Sequence, residues 1–344
     1  MQPGSYTAII TPFDGDAVDY DGLDRLVDFQ LANGITGVLA AGTTGESPAL
    51  SWDEHNLIIE RIAKHTKNKC LCIAGTGSNN TQEALEATRL AVRSGVDAVL
   101  LVDPYYNGPS SMEIRREYVA PIAAEFPQLK IIPYVIPGRT GTQLLPEDLG
   151  LLSQKYKNVS SVKEATGNLA NMKRTRTCCG PKFTILSGDD GMTYDMMTDS
   201  DINAGGVISV ISNVVPGAVA EFVRLLASQQ SAKAEELRND LTPLFGLVTV
   251  STTEKTPFGT VTARFRNPSA IKALMTILGM PCGGCRRPLG KLTPNAIDIV
   301  LAAARKVQST NPDILKPCAE FFGVDIDARL NDPNNWKHLV YPDY

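Results

Sequence analysis

Val159-Ser-Ser-Val-Lys163-Glu-Ala-Thr-Gly-Asn168 is a short β-rich run that ends in a lysine and passes into a small polar turn closing on Gly167-Asn168. Period-2 alternation puts Lys163 on the same face as Ser161, with Val162 and Glu164 on the other. A lysine at the carboxyl end of a strand, turned into a protected interior, can lose its proton and become a nucleophilic amine. The ordinary alternative is a strand-end lysine snorkelling to solvent. The surrounding chain decides between the two.

From Ser5 to about Ser228 one pattern recurs: a short β-branched run, a polar or glycine-containing turn, then a helical segment. The expected strands are Tyr6–Phe13, Gly37–Ala41, Lys69–Ala74, Ala98–Val102, Lys130–Val135, Val159–Lys163, Phe183–Leu186 and Gly206–Val210. Between them lie stretches with helical apolar spacing, such as Leu23, Leu26, Val27 and Leu31 within Tyr20–Ala32. Eight strands alternating with helices imply an α/β fold with a parallel sheet, and eight is the number that closes a (β/α)8 TIM barrel. A doubly wound open sheet is the alternative, but no GxGxxG follows the first strand.

The expected organisation is a barrel over residues 1–228, a C-terminal helical region over 229–308, and an extension over 309–344. That region holds helices at Ser231–Thr242, Ser269–Leu278 and Thr293–Gln308, with Thr252–Arg266 read as a polar loop or insertion. The extension carries four prolines, one expected helix at Ile314–Phe322, and the aromatics Phe321, Phe322, Trp336, Tyr341 and Tyr344. Such aromatic content argues against disorder and for packing on the barrel or a neighbouring subunit.

Composition excludes several classes. A hydrophobic fraction of 43% with 20% charged residues suits a globular chain with a large core. A net charge of −4 and a pI near 5.5 give no electrostatic reason to expect nucleic acid or an anionic membrane as partner. No apolar run reaches the roughly 18–20 residues of a membrane span. Met1–Ile10 lacks a basic segment followed by an apolar one, so a cytoplasmic location is expected. Seven cysteines without a framework spacing read as free thiols. Cys282-Gly-Gly-Cys285 is the one CxxC, with only Cys318 and His338 downstream as further ligands, so no metal site is expected.

In a barrel, function collects on the loops after the strands. Those loops carry Gly42-Thr-Thr-Gly-Glu-Ser47, Asp103-Pro-Tyr-Tyr-Asn107, Pro137-Gly-Arg-Thr-Gly141 after Tyr134, Lys163 itself, and Ser187-Gly-Asp-Asp190. Polar strand ends explain the glycines, but not two tyrosines, an arginine and a lysine at one mouth. These motifs, in this order and spacing, resemble the dihydrodipicolinate synthase (4-hydroxy-tetrahydrodipicolinate synthase) family of the pyruvate-dependent Schiff-base aldolase and N-acetylneuraminate lyase superfamily. The resemblance covers residues 4 to 308, with an insertion near 254–266.

By that resemblance Lys163 forms a covalent imine with pyruvate, no separate cofactor is used, and the acceptor is L-aspartate 4-semialdehyde. Tyr134, Thr43 and Tyr106 match the family's proton relay, with Tyr106 supplied by the adjacent subunit. Thr43, Thr44, Ile208 and Gly188 match the pyruvate pocket, where backbone N–H groups of a glycine-containing turn can converge on a carboxylate. Arg139 matches the residue that takes the second substrate's carboxylate, a role suited to a guanidinium fork. Ser47, Trp52, His55, Asn79, Glu83 and Tyr105 match an L-lysine feedback site at a dimer interface, and family members are mostly homotetramers, some dimers. The chain departs from the family at Val135, where an asparagine is usual, which removes a polar group expected near the site. Another pyruvate aldolase, for a sugar acid or hydroxy-keto acid, and a non-catalytic carboxylate-binding barrel are the competing readings.

Overall fold

Eight strands form a closed, all-parallel barrel in a computed structural model that describes residues 1–343; Tyr344 lies outside the described residues. They are β1 (Gly4–Ala8), β2 (Gly37–Ala40), β3 (Leu71–Gly75), β4 (Ala98–Val102), β5 (Lys130–Val135), β6 (Ser161–Glu164), β7 (Thr184–Ser187) and β8 (Gly206–Ser209). β1 closes the ring by pairing with both β2 and β8. Such strands are covered on both faces, so their sequences read as near-continuous apolar runs. One face fills the barrel interior with Tyr6, Leu39, Ile73, Leu100, Ile132, Tyr134, Leu186 and Ile208. The other packs Val38, Val99, Ile131, Val162 and Val207 against the surrounding helices.

Two strands match expectation to the residue, and most of the rest shift by one or two positions at an end. The first differs most: it ends at Ala8 rather than Phe13. Pro12 has no N–H for a ladder, and the Ile10 N–H is taken by the Asn213 side chain at 3.0 Å. Phe13 instead starts a two-residue ribbon with Ala17–Val18.

The stretch expected as a loop over Thr252–Arg266 is a β-hairpin, β9 (Thr249–Thr256) and β10 (Gly259–Arg266). Its signal is alternation in polar dress: Val250, Thr252 and Glu254 are buried, while Thr249, Ser251 and Thr253 are exposed. The inward Glu254 carboxylate accepts from Thr293 Oγ1 (2.6 Å) and Asn295 Nδ2 (2.8 Å), at the start of helix Pro294–Thr310. A negative charge there is favourable to the helix dipole.

The tail packs on its own chain. Helix Lys316–Phe322, shorter than expected because Pro312–Ile314 forms a 3-10 turn, sets Phe321 and Phe322 against Phe29 at ring distances of 5.3 and 5.0 Å. Arg305 lies over Trp336, and Leu292 bridges Val340. No described helix is long and apolar enough to cross a membrane.

One ion pair joins the C-terminal helices to the barrel mouth. Lys272, fully buried on helix Ser269–Ile277, donates to Glu46 Oε1 (2.7 Å) and to the Thr11 carbonyl (2.9 Å). Glu46 Oε2 accepts the Arg286 N–H at 2.8 Å, so both carboxylate oxygens are satisfied. Removing one partner of a buried pair costs about 3–5 kcal/mol, because the other charge stays buried alone. Lys272→Met should therefore lose stability on that scale in urea unfolding, and Lys272→Met with Glu46→Leu should recover part of it. Wild-type stability of the single variant would show that the pair does not hold the loop.

Candidate active site

Alternation along β6 sends Ser161 and Lys163 into the barrel, in register with Tyr134 on β5 and Leu186 on β7. The Lys163 amine is buried, with Nζ 4.2 Å from the Tyr134 ring centroid. Burial lowers its pKa to about 7; Asp190 opposes the shift and Arg139 adds to it. A neutral amine is thus well populated near neutrality. The lysine does not snorkel.

Space for its stem comes from Gly188 after β7. A Cβ there would lie 3.1 Å from Lys163 Cε and 2.9 Å from the Ala165 Cβ, so a larger residue would crowd the lysine. Tyr134 is buried as well, which raises its phenol to about 12, while Arg139 and the Thr43 side chain pull it back. At neutral pH the phenol keeps its proton and can donate it. Asp190, pushed up to about 6 by burial, accepts from the Val210 and Ile211 N–H groups at 2.9 and 3.3 Å.

A cavity of about 400 Å³ brings Thr43, Thr44, Tyr134, Arg139, Lys163 and Gly188 together. Thr44 Oγ1 accepts from Asn267 Nδ2 at 2.9 Å, and Arg139 Nη2 donates to the Asn267 carbonyl at 3.3 Å. Burial lowers the Arg139 pKa, Tyr134 opposes this, and neighbouring Arg266 adds to the lowering. Ile208 lies buried in the interior cluster that contains Tyr134. Tyr106 does not reach the cavity within one chain: it is 85% exposed.

The remaining sequence-derived set divides. Ser47 and Tyr105 line a second cavity of about 210 Å³, which shares Thr43, Tyr134 and Arg139 with the first. Asn79 Oδ1 accepts the Tyr105 N–H at 2.7 Å, and Glu83 is engaged by Ser78. His55 is not a surface residue. It is buried against the edge of Trp52, with Nε2 2.9 Å from the Gly75 carbonyl, and burial lowers its pKa.

Val135 belongs to the helix-facing core, because alternation turns it away from Tyr134. The family's asparagine is replaced on the outer face of the strand, and the cavity loses no polar group to it. Sequence reasoning missed Asn267, the Glu46–Lys272 pair and the hairpin arginines. Lys272 did leave a signal, as a lone charge in Ala270-Ile-Lys-Ala-Leu-Met275. Cys282 and Cys285 are free thiols, and the described residues contain no cluster of three or more His, Cys, Asp or Glu able to hold a metal.

Comparison with known proteins is consistent across sequence and structure. Residues 1–306 match the model of the dihydrodipicolinate synthetase family. The 4-hydroxy-tetrahydrodipicolinate synthase of Methanocaldococcus jannaschii is 37% identical over 293 residues, covering 85% of this chain and 94% of the relative. The corresponding enzyme structure from Methylacidiphilum fumariolicum SolV superposes with a TM-score of 0.83 at 33% identity, covering 92% of this chain and 99% of the other. A lysine-bound structure of the Cyanidioschyzon merolae protein gives 0.80 at 32% identity, covering 89% and 98%. The chain belongs to the dihydrodipicolinate synthetase family.

Proposed function

We propose that the chain is a 4-hydroxy-tetrahydrodipicolinate synthase that condenses pyruvate with L-aspartate 4-semialdehyde through a Schiff base at Lys163. The observation that carries this reading is the buried amine of Lys163, near-neutral and over the ring of a protonated tyrosine. The amine attacks the pyruvate ketone and water leaves as the imine forms. The imine draws electrons from the pyruvyl methyl, which loses a proton to give an enamine. The enamine carbon adds to the acceptor aldehyde. The acceptor's amino group then closes on the imine carbon and displaces Lys163, so that one water is lost overall.

Tyr134 is the proton carrier nearest the amine, with Thr43 beside it and Tyr106 supplied by a second copy in a homodimer or dimer-of-dimers tetramer. The Thr43-Thr44 turn takes the pyruvate carboxylate, Ile208 and Gly188 shape its pocket, and Arg139 takes the acceptor's carboxylate. In this scheme no separate cofactor takes part.

Borohydride with pyruvate should add one reduced adduct at Lys163 by intact mass, and Lys163→Ala should show none; persistence of the adduct in that variant would sink the assignment. L-aspartate 4-semialdehyde should outperform sugar-acid aldehydes as acceptor, and the reverse order would move the chain to another aldolase activity.

The amine must be neutral to attack, so its lowered pKa moves the rise in reactivity down from 10.5 to about 7. Since the neutral fraction is about one tenth a unit below the pKa and about nine tenths a unit above it, the trapping rate should climb between pH 6 and 8 and then flatten. A rate still climbing tenfold per unit above pH 9 would place Lys163 at an ordinary lysine value.

The cavity beside Ser47 and Tyr105 is the place for feedback inhibition by L-lysine, with Trp52, His55, Asn79 and Glu83 around it at the interface between copies. Aromatic rings suit the alkyl stem, and carboxylate and amide oxygens suit the ammonium. Millimolar lysine should lower the condensation rate; an unchanged rate would remove this role.

A further inference from the structure

The hairpin β9–β10 is a wall of the active-site cavity. Its register sets Thr249 opposite Arg266 and Ser251 opposite Arg264, and all four residues line the cavity that holds Lys163. The opposite face anchors it, with Val250 in the core cluster, Phe265 packed against that cluster, and Glu254 bonded to Thr293 and Asn295 at the start of the 294–310 helix.

Arg139 and Arg266 are held by a reciprocal latch. Arg266 Nη1 donates to the Gly138 carbonyl at 2.9 Å, in the turn that carries Arg139, and Arg139 Nη2 donates to the carbonyl of Asn267, the residue after Arg266. Each guanidinium has five N–H donors, so a single carbonyl leaves most of them uncommitted. Among the described residues no carboxylate pairs with Arg139, Arg264 or Arg266. The acid that lines this cavity is Asp189, which spends Oδ1 on the Gly191 N–H. Like charges held close on a fixed scaffold are unfavourable unless an anion joins them.

We infer that Arg264 and Arg266, with the Thr249 and Ser251 hydroxyls, form an anion subsite that works with Arg139 to bind the carboxylate of the acceptor aldehyde. This deepens the reading of Lys163 as the imine-forming nucleophile and rests on it. The inner turn at Thr43-Thr44 takes the pyruvate carboxylate, and the hairpin arginines select the second substrate at the mouth. They are specificity-determining residues and take no part in imine formation.

The test compares wild type with Arg264→Gln, Arg266→Lys and the double variant Arg264→Gln/Arg266→Gln. Arg264 is the cleaner probe, since it has no hydrogen bond within the chain among those described, whereas Arg266 also steadies the Gly138 turn. Steady-state kinetics with L-aspartate 4-semialdehyde should show KM for the acceptor rising about tenfold or more in the double variant, the scale of losing a charge-assisted hydrogen bond. KM for pyruvate and borohydride trapping should stay unchanged, and propanal, an aldehyde without a carboxylate whose adduct leaves when water hydrolyses the imine, should show no penalty. An acceptor KM unchanged in the double variant, or an equal penalty with propanal or pyruvate, would overturn the subsite.

If wild type traps pyruvate but does not consume L-aspartate 4-semialdehyde, the proposed activity fails and the subsite is read separately. Calorimetry of succinate with the pyruvate-reduced enzyme should then give a Kd about tenfold weaker in the double variant. Equal Kd values would overturn the subsite on this arm.

Discussion

Burying an ammonium away from water costs several kcal/mol unless it is paired, and the barrel interior imposes that cost on Lys163. The chain lowers it by letting the proton go, which shifts the pKa to about 7. Desolvation is the largest cause, so the reactivity of this amine is a property of barrel closure rather than of a single neighbour. Leu186 and Ile208 on adjoining strands and Tyr134 beside the amine keep water out of the interior. Asp190 works against the shift; burial, which raises its own pKa, weakens that opposition, while two backbone donors favour its charged form. The site therefore depends on eight short strands meeting edge to edge.

A second constraint fixes the loop after β2. Ala41 and Glu46, at φ 50° and 57°, take left-handed conformations that are unfavourable for residues with a Cβ. They bracket Gly42-Thr-Thr-Gly45, the turn that presents Thr43 and Thr44. The buried Glu46–Lys272 pair holds one end of this turn, and β3 crowds the other, where a Cβ on Gly75 would lie 2.4 Å from the Ala41 carbonyl oxygen. The helices after the barrel are thus part of the site: one carries the cation that locks the turn, and Asn267, just before it, bonds to Thr44.

The barrel was legible because parallel strands buried on both faces read as apolar runs punctuated by turns. Lys163 stood out as the exception within such a run, and its place on the sixth strand of an eightfold repeat gave its direction. What escaped depends on distant partners. The end of β1 is set by Asn213, 203 residues away, and Glu46 meets Lys272 across 226 residues. No local pattern carries that information. The hairpin escaped for another reason: threonine, serine and arginine at the exposed positions hid a strand alternation that Val250, Thr252 and Glu254 follow on the buried side. The contact of His55 with the Gly75 carbonyl on β3 is likewise long-range, and helical periodicity in its own segment does not reveal it.

The hairpin completes a division of labour that the barrel alone does not supply. On the proposed reading, groups inside the ring supply the donor chemistry: an amine that gives up its proton readily, a phenol that keeps its own, and a glycine that leaves room for the lysine stem. Groups at the mouth act on whatever approaches, and there cationic side chains outnumber acids. Because Arg139 and Arg266 are each tied to the other's backbone neighbourhood, the loop after β5 and the base of β10 are linked as one unit. A substitution that moves the hairpin base would therefore move Arg139, and it would reach Lys163 only through the smaller part of the pKa shift that Arg139 adds to burial. On the proposed reading, acceptor choice can change on this scaffold while burial, the main tuning of the lysine, stays in place.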